Sequence, residues 1–128
     1  MDRFALRAAL DSRNMLAFLA LIRAGEGTAD ADGYRRHFGG ELFESFADHP
    51  RKAITKGRYT STAAGAYQIL QRTWDGLVKQ SGFADFSPRC QDEAAVALIV
   101  GRGALDDVLA GRIEQAIAKC AREWASLP

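Results

Sequence analysis

The chain has 128 residues, 48% of them hydrophobic, so it can bury one core and is too apolar to be a disordered protein. Seventeen Lys and Arg residues against sixteen Asp and Glu residues leave a formal net charge of +1, which excludes the strong global field typical of nucleic-acid-binding proteins. We therefore expect a single domain without a nucleic-acid partner.

The first strong pattern is an amphipathic segment that ends in a polar, glycine-rich loop. Apolar residues recur at helical i, i+3, i+4 and i+7 spacing at Met15, Phe18, Leu19 and Ile22. The pattern predicts a helix anchored in the core. The loop sequence Ala24-Gly25-Glu26-Gly27-Thr28 then places Glu26 at the end of that helix.

A glutamate in this position is a candidate general acid. Apolar neighbours would keep its carboxyl group protonated, and a protonated acid can donate to a leaving oxygen, as cleavage of a glycosidic bond requires. The alternative is a solvated surface glutamate, which is the common state of this residue near helix ends. The pentapeptide alone does not separate the two.

The helical periodicity fails between about residues 34 and 60, where we expect a small β-containing region. Glycines punctuate its start at Gly33, Gly39 and Gly40. The apolar residues Leu42, Phe43 and Phe46 then precede the turn signal Asp48-His49-Pro50, which favours a short hairpin or paired loops. A lone hairpin is marginal in water, so this one must pack against helices.

Four helices are predicted in the second half of the chain. The first begins at a cap on Ser61 or Thr62 and ends near Gly82, with an apolar face at Tyr67, Ile69, Leu70, Trp74, Leu77 and Val78. The second begins at Ser87-Pro88, continues through Glu93 to Val100, and ends at Gly101 and Gly103. The third covers Ala104 to Ala110 and stops at Gly111, and the fourth carries Ile113, Ile117, Cys120 and Trp124 on one face.

These elements predict an α+β fold that is mostly α, with a cleft between the helices and the β element as the natural place for a site. Cys90 and Cys120 lack the spacing of a metal or redox motif, and we expect two buried free thiols. No export-signal pattern opens the chain, and Met15 to Ile22 is too short to span a bilayer, so we expect synthesis in the cytoplasm without stable membrane association.

A local basic cluster stands out against the balanced total charge. Its members are Arg51, Lys52, Lys56 and Arg58. They could face an anionic polymer, or they could form a solvated loop. No recognition helix with clustered Arg, Lys and Asn is present.

Several ordered sequence blocks resemble the phage lambda-type endolysins, a family of lysozyme-like lytic transglycosylases that act on peptidoglycan. The blocks are Gly25-Glu26-Gly27-Thr28, Gly39-Gly40-Glu41-Leu42-Phe43, Asp48-His49-Pro50-Arg51-Lys52, Ser61-Thr62-Ala63-Ala64-Gly65-Ala66-Tyr67-Gln68, Asp85-Phe86-Ser87-Pro88, Arg102-Gly103-Ala104-Leu105 and Trp124-Ala125-Ser126-Leu127-Pro128. They run from about Leu16 to the end of the chain. Their number and order make the resemblance more specific than any single motif.

The resemblance implies a lysozyme-like fold, with a helical lobe and a small β-hairpin lobe flanking a cleft, and Glu26 as the sole catalytic acid/base. Glu26 would protonate the glycosidic oxygen between MurNAc and GlcNAc and then accept the proton of the MurNAc 6-hydroxyl as that oxygen attacks C1. The product is a 1,6-anhydro sugar. Neither a metal nor a cofactor is implied.

The resemblance also suggests substrate-binding residues. Ser61 and Gln68 belong to the block that lines the cleft in lysozyme-like transglycosylases, and both can hydrogen-bond a sugar. Tyr67 and Tyr34 are aromatic candidates for contact with a saccharide ring, although Tyr67 has the spacing of a core residue and Tyr34 could simply anchor the hairpin.

The nearby acids and His49 are expected to be structural. Asp30 and Asp32 lie in a polar loop and Asp48 lies in a turn signal, so we expect them to be structural or solvated. His49, which precedes a proline, is expected to order a turn.

Two departures from the family pattern lead to further expectations. The loop between Thr28 and Tyr34 is shorter than the family pattern leads us to expect, so one wall of the cleft is expected to be lower. The chain also ends at Pro128, where family members continue into a loop and a final helix, so we expect residues 1–128 to form a single lysozyme-like domain without that part.

The leading hypothesis from the sequence is a monomeric phage or prophage endolysin that binds peptidoglycan glycan strands. It would reach the periplasm through a membrane lesion made by a separate holin-type protein. One alternative is a hydrolytic muramidase, in which Asp30, Asp32 or Asp48 positions a water for Glu26. Another is a non-catalytic glycan-binding module.

Overall fold

The computed structural model describes residues 1–128 and contains six α-helices and one two-stranded antiparallel sheet. The helices are α1 (Arg3–Ala9), α2 (Arg13–Glu26), α3 (Gln71–Ser81), α4 (Pro88–Gly101), α5 (Leu105–Ala110) and α6 (Ile113–Cys120). The strands are β1 (Ile54–Lys56) and β2 (Tyr59–Ser61). The α+β class with mostly helical content, predicted from the sequence, is confirmed.

Helix α2 forms as the sequence predicts. The Ser12 hydroxyl caps its first turn by accepting a hydrogen bond from the Met15 N–H at 3.1 Å. The apolar residues predicted to face the core are all buried. Gly27 ends the helix with φ 75°, a left-handed conformation that glycine adopts without steric cost. Glu26 is therefore the last helical residue, as expected.

Helix α4 is the central element of the helical body. Ser87 caps it, with Pro88 at the first helical position, as the sequence predicts. Ala94, Ala95 and Val96 are fully buried, because α1, α3 and α5 all pack against this helix. A helix that neighbours cover on several sides needs apolar residues around most of its surface.

Helix α1 was not anticipated from the sequence. Asp2 caps it by accepting a hydrogen bond from the Ala5 N–H at 2.9 Å. Leu6 and Ala9 are buried against α4. With seven residues and only two buried positions, the helix is too short to give a clear periodic signal.

The prediction that Ser61 or Thr62 starts a helix is wrong. Ser61 ends β2, and α3 begins ten residues later at Gln71. Between them, Gly65 and Gln68 have φ values of 83° and 49°, and this left-handed backbone cannot continue a right-handed helix. The Thr62 hydroxyl still acts at the helix start, since it accepts a hydrogen bond from the Gln71 N–H at 3.1 Å. The predicted end at Gly82 is confirmed.

The predicted β element exists, but its strands lie later in the chain than the apolar pattern indicated. The hairpin pairs Ile54 with Ser61 and Lys56 with Tyr59. Phe43 and Phe46 lie outside this hairpin, and Phe43 packs against Phe86 with ring centroids 6.0 Å apart. Leu42 nevertheless forms an isolated antiparallel bridge with Arg36, so the alternative of paired loops is confirmed at this point.

The last two helices also differ in part from expectation. Helix α5 ends at Gly111 as predicted, but α6 stops at Cys120, so Trp124 lies beyond the helix and is buried there in a separate segment. Ile113 is exposed, contrary to its predicted place on the buried face. Cys90 and Cys120 are free and buried, as expected, and burial raises the pKa of the Cys120 thiol to about 11.

Candidate active site

A small cavity opens where α2 ends, between the loop that follows this helix and the loop that follows Arg36. Its volume is about 240 Å³. None of the lining residues is hydrophobic; they are Glu26, Gly27, Thr28, Arg36, His37, Gly39, Gly40 and Gln68. Glu26 is half-buried there and is the only acidic residue in the lining.

The surroundings of Glu26 differ from the sequence expectation. We expected apolar neighbours around the carboxyl group, but the cavity is polar because two glycine-containing loops and Arg36 form it. A second polar contact comes from outside the cavity: the Ser126 hydroxyl donates a hydrogen bond to Glu26 Oε2. Oε1 has no partner within the protein and is not buried, so it remains free for a ligand.

Arg23 holds the loop that follows Glu26. Its guanidinium donates to the Thr28 carbonyl oxygen through Nε at 3.0 Å and through Nη2 at 2.7 Å, and also reaches the Asp30 carbonyl oxygen at 2.9 Å. The Thr28 hydroxyl donates to the Ala66 carbonyl oxygen on the far side. These bonds fix the wall of the cavity next to the catalytic candidate.

An aromatic chain ties the opposite wall to the core. The His37 ring packs edge-on against Phe43, with ring centroids 5.4 Å apart. Phe43 contacts Phe86, and the ring centroids of Phe86 and Trp74 are 4.8 Å apart. Burial is the main cause that lowers the pKa of His37, and nearby Lys52 adds to it. The His37 imidazole is therefore neutral at neutral pH.

Arg36 completes that wall with two polar anchors. Its guanidinium donates to the Gly40 carbonyl oxygen at 2.8 Å and forms an ion pair with Asp30. Both partners are part of the two loops, so Arg36 links them across the cavity rim.

Gln68 is the predicted substrate-binding residue that the structure brings next to Glu26. Its Nε2 donates to the carbonyl oxygens of Gly65 at 2.9 Å and Arg36 at 3.2 Å. These bonds hold the side chain in place and leave its amide oxygen without a protein partner. The left-handed backbone at Gln68 is part of the same turn, and it is what directs this residue toward the cavity and away from α3.

The other predicted substrate-binding residues lie elsewhere. Tyr67 is only 2% exposed and donates its hydroxyl to Asp92 at 2.6 Å, so it belongs to the core and does not offer a ring face to a sugar. Tyr34 is half-buried, and its hydroxyl donates to the same carboxylate oxygen at 2.8 Å. The Arg23 guanidinium carbon lies 4.5 Å from the centroid of the Tyr34 ring. Ser61 is half-buried and lies outside the cavity lining.

The Asp92 carboxylate affects both tyrosines. Burial raises the pKa of each phenol, and the neighbouring negative charge adds to the effect, so that the pKa of Tyr34 reaches about 12. Both hydroxyls therefore remain protonated donors. This pair is structural support for the loop that carries Arg36.

Two residues that hold the site in place were not predicted from the sequence. Gln91 is fully buried in α4, where its amide oxygen accepts from the Ala66 N–H at 2.9 Å and its amide nitrogen donates to the Tyr34 and Phe86 carbonyl oxygens at 3.1 and 2.8 Å. Ser126 was noted only as part of a family block. A polar residue at a core position of α4 was the one available signal for Gln91; nothing local pointed to Ser126.

The three remaining acids and one member of the basic cluster, Arg51, take part in surface ion pairs. Asp30 pairs with Arg36, Asp32 lies 3.9 Å from Arg35, and Asp48 pairs with Arg51. Arg51 also pairs with Asp75, and hydrogen bonds with Arg51 hold the pKa of both carboxyl groups below the usual range. The other three members of the basic cluster are exposed and form no ion pair.

His49 orders the turn around Pro50, as expected. Its Nε2–H donates to the Ile69 carbonyl oxygen at 2.8 Å, and its Nδ1 accepts from the Arg51 N–H at 3.0 Å. No group of three or more His, Cys, Asp or Glu side chains is arranged to hold a metal ion. None of the helices has the length and apolar character needed to cross a bilayer.

A helical body with a small hairpin and a polar cavity around one carboxylate defines a protein of the lysozyme-like class. The comparisons agree with this class. The family model described as Endolysin matches residues 16–128. The endolysin of Escherichia phage lambda is 46% identical over 119 residues, which cover 88% of this chain and 75% of that protein. The endolysin of Escherichia phage P2 is 42% identical over 132 residues, which cover 91% of this chain and 80% of that protein.

Solved structures give the same result. A structure of lysozyme from bacteriophage lambda superposes with a TM-score of 0.85 at 43% identity, covering 90% of this chain and 79% of that one. A second, of the lambda lysozyme complexed with a chitohexasaccharide, gives a TM-score of 0.84 at 44% identity with the same coverage. The chain therefore belongs to the endolysin family, whose members are phage proteins that degrade the bacterial cell wall.

Proposed function

We propose that this chain is a peptidoglycan lytic transglycosylase that cleaves the MurNAc-β-1,4-GlcNAc bond and leaves 1,6-anhydro-MurNAc ends. The observation that carries the proposal is the lone carboxylate: Glu26 is the only acidic residue lining the cavity. Most glycosidases need two carboxyl groups, one as acid and the other as base or nucleophile. A reaction whose nucleophile belongs to the substrate needs only one.

The proposed reaction needs only one residue that donates and accepts a proton. Protonated Glu26 donates its proton to the glycosidic oxygen as the bond from that oxygen to C1 of MurNAc breaks, releasing the GlcNAc 4-hydroxyl. The MurNAc 6-hydroxyl oxygen then bonds to C1, and its proton passes to the Glu26 carboxylate. Water is not consumed, and the acid returns to its starting state.

The cavity wall suits a carbohydrate ligand. Sugar hydroxyls need fixed hydrogen-bonding groups, and the lining offers the free amide oxygen of Gln68. The related lambda lysozyme complexed with a chitohexasaccharide supports glycan binding. Among the predicted substrate contacts, Gln68 has the strongest support from its place beside Glu26, while contacts by Ser61 and Tyr34 stay predictions.

The proposal extends to how the protein works in the cell. It acts as a monomer on peptidoglycan glycan strands, without a metal or cofactor. It is made in the cytoplasm and reaches the periplasmic cell wall after a separate holin-type protein has permeabilised the membrane.

The test is mass spectrometry of the muropeptides released from purified Gram-negative sacculi. The parent chain should release products with anhydro-MurNAc ends, and Glu26→Gln, which keeps the size of the side chain and removes its proton transfer, should lower release at least about 100-fold. Asp32→Asn is the matched control, because Asp32 is exposed in the neighbouring loop and outside the cavity. It should retain the parent activity.

Other outcomes would point to other functions. Reducing MurNAc ends would overturn the proposal in favour of a hydrolytic muramidase. Binding to sacculi with equal background release by the parent and Glu26→Gln would favour a non-catalytic glycan-binding module.

A further inference from the structure

Residues 121–128 pass the end of α2, where the Ser126 hydroxyl contacts Glu26. Trp124 anchors this segment: it is 2% exposed, and its indole N–H donates to the Tyr67 carbonyl oxygen at 3.0 Å. Leu127 packs against the core on the other side of Ser126, and its N–H donates to the Trp124 carbonyl oxygen at 3.1 Å. Ser126 is thus fixed between two anchored residues, although it is itself exposed.

The glycine before Glu26 shows how closely this segment approaches. A Cβ atom added at Gly25 would lie 2.8 Å from Ser126 Oγ and 2.9 Å from the Ser126 carbonyl oxygen. Gly25 has an ordinary helical backbone, and a glycine there costs a helix roughly 1 kcal/mol relative to alanine. The close approach of Ser126 explains why position 25 cannot carry a side chain without displacing that segment.

The two carboxyl oxygens of Glu26 have different surroundings. Ser126 donates to Oε2, whereas Oε1 has no partner within the protein. Ser126 is not among the residues that line the cavity, so it reaches the carboxyl group from outside the cavity lining. A hydrogen bond to an ionised carboxylate is charge-assisted, and it also limits rotation of the group.

We infer that Ser126 is a positioning residue, which holds Oε2 of Glu26 so that Oε1 carries the transferred proton toward the cavity. The inference rests on the proposed function for its catalytic meaning, but the contact can be tested without it. Gly25 is the second residue on which this contact depends, because its lack of a side chain lets Ser126 come within hydrogen-bonding distance of Glu26.

The experiment compares the parent chain with Ser126→Ala and Ser126→Thr. The first readout is NMR relaxation of the Glu26 side chain, which measures how freely its carboxyl end moves. Because Ser126→Ala removes the hydrogen bond that limits this rotation, the order parameter of the Glu26 side-chain methylene groups should fall, whereas Ser126→Thr, which keeps the hydroxyl, should match the parent. Gly25→Ala should lower the order parameter as well by displacing the segment.

The second readout is the kinetics of anhydro-product release from soluble glycan strands. We expect kcat of Ser126→Ala to fall about tenfold with KM nearly unchanged, because Ser126 lies outside the cavity lining. Ser126→Thr should restore the parent kcat.

The two readouts separate failure of this inference from failure of the proposed function. An unchanged Glu26 order parameter in Ser126→Ala would overturn the positioning role, whether or not the parent is active. A lowered order parameter in Ser126→Ala, together with a parent chain that releases no product, would support the contact and overturn the transglycosylase proposal. Equal thermal stability of the parent and Ser126→Ala would show that neither change comes from partial unfolding.

Discussion

His49 shows how a single buried side chain makes stability depend on pH. Its neutral ring satisfies both nitrogens, because Nε2–H donates to Ile69 and Nδ1 accepts from the Arg51 N–H. A second proton would sit on Nδ1 and face that N–H. Burial is the largest cause that lowers the pKa of His49 below its usual value near 6.5, and the charge of Arg51 adds to it, while Asp48 and Asp75 oppose it.

The expected consequence is a loss of stability between neutral and mildly acidic pH. The unfolded chain takes up the His49 proton near pH 6.5, but the folded chain takes it up only at lower pH. The contribution is therefore complete above about pH 6.5 and is lost as the pH falls toward the folded pKa. The free energy of unfolding should fall by on the order of 1 kcal/mol from pH 7 to pH 5.5.

Urea denaturation at a series of pH values checks this prediction. The Asp48 and Asp75 carboxyl groups stay ionised throughout this window, because their pKa values are held below 3.8. His49→Gln should be less stable at neutral pH but show a shallower slope. A variant slope equal to that of the parent would assign the effect to another group, with His37 as the first to examine since burial lowers its pKa as well.

At the scale of elements, the contact between α1 and α4 contains an unfavourable feature. The Glu93 carboxylate is fully buried, and neither of its oxygens has a hydrogen-bond partner. The nearest cation is Arg3, whose Nε lies 3.7 Å from Oε1, too far for a good hydrogen bond. A buried charge with such a partner recovers little of its desolvation cost.

Replacing this carboxylate should stabilise the junction of the two helices. Glu93→Met fills a similar volume without a charge, and we expect the free energy of unfolding to rise by about 1 to 3 kcal/mol. Arg3→Met leaves the carboxylate without its cation and should lower stability by about 1 to 2 kcal/mol, a reduced figure because Arg3 is partly exposed. The urea midpoints at pH 7, with unchanged m values, measure both effects. A destabilised Glu93→Met chain would mean that the ion pair is worth more than its geometry suggests.

At the scale of the whole molecule, Trp124 joins the end of the chain to its middle. The side chain is buried beyond α6, and its N–H satisfies the Tyr67 carbonyl oxygen in the turn that leads to Gln68. The same segment carries Ser126 to Glu26, so this one anchor couples the fold to the geometry of the candidate site.

Two substitutions should separate packing from hydrogen bonding at this anchor. Trp124→Ala should cost about 3 to 5 kcal/mol of stability through the cavity it leaves. Trp124→Phe keeps most of the packing and leaves the buried carbonyl oxygen unpaired, for a cost of about 1 to 2 kcal/mol. Thermal unfolding gives the order of stability, and release of muropeptides should fall in the same order. Parent-like release by a folded Trp124→Ala chain would show that Ser126 reaches Glu26 without this anchor.

The sequence by itself determined the features that depend on neighbouring residues. Helix α2 and the start of α4 were predicted because caps, the proline at the first helical position and apolar periodicity act within a few residues. Glu26 was found for the same reason, as it ends a strongly patterned helix. The family blocks supplied Gln68, which local pattern alone had placed in a helix that begins only at Gln71.

Only the tertiary structure decided what surrounds Glu26. Ser126 is 100 positions away in the chain, and His37 and Arg36 reach the cavity through loops without periodic patterns. Tyr67 and Gln68 are adjacent in sequence, yet one is buried on Asp92 and the other lines the cavity, because a left-handed turn separates their directions. Local propensity carries no information on which distant segments meet. That is set by burial of the shared core and by the hydrogen bonds that buried loops must make.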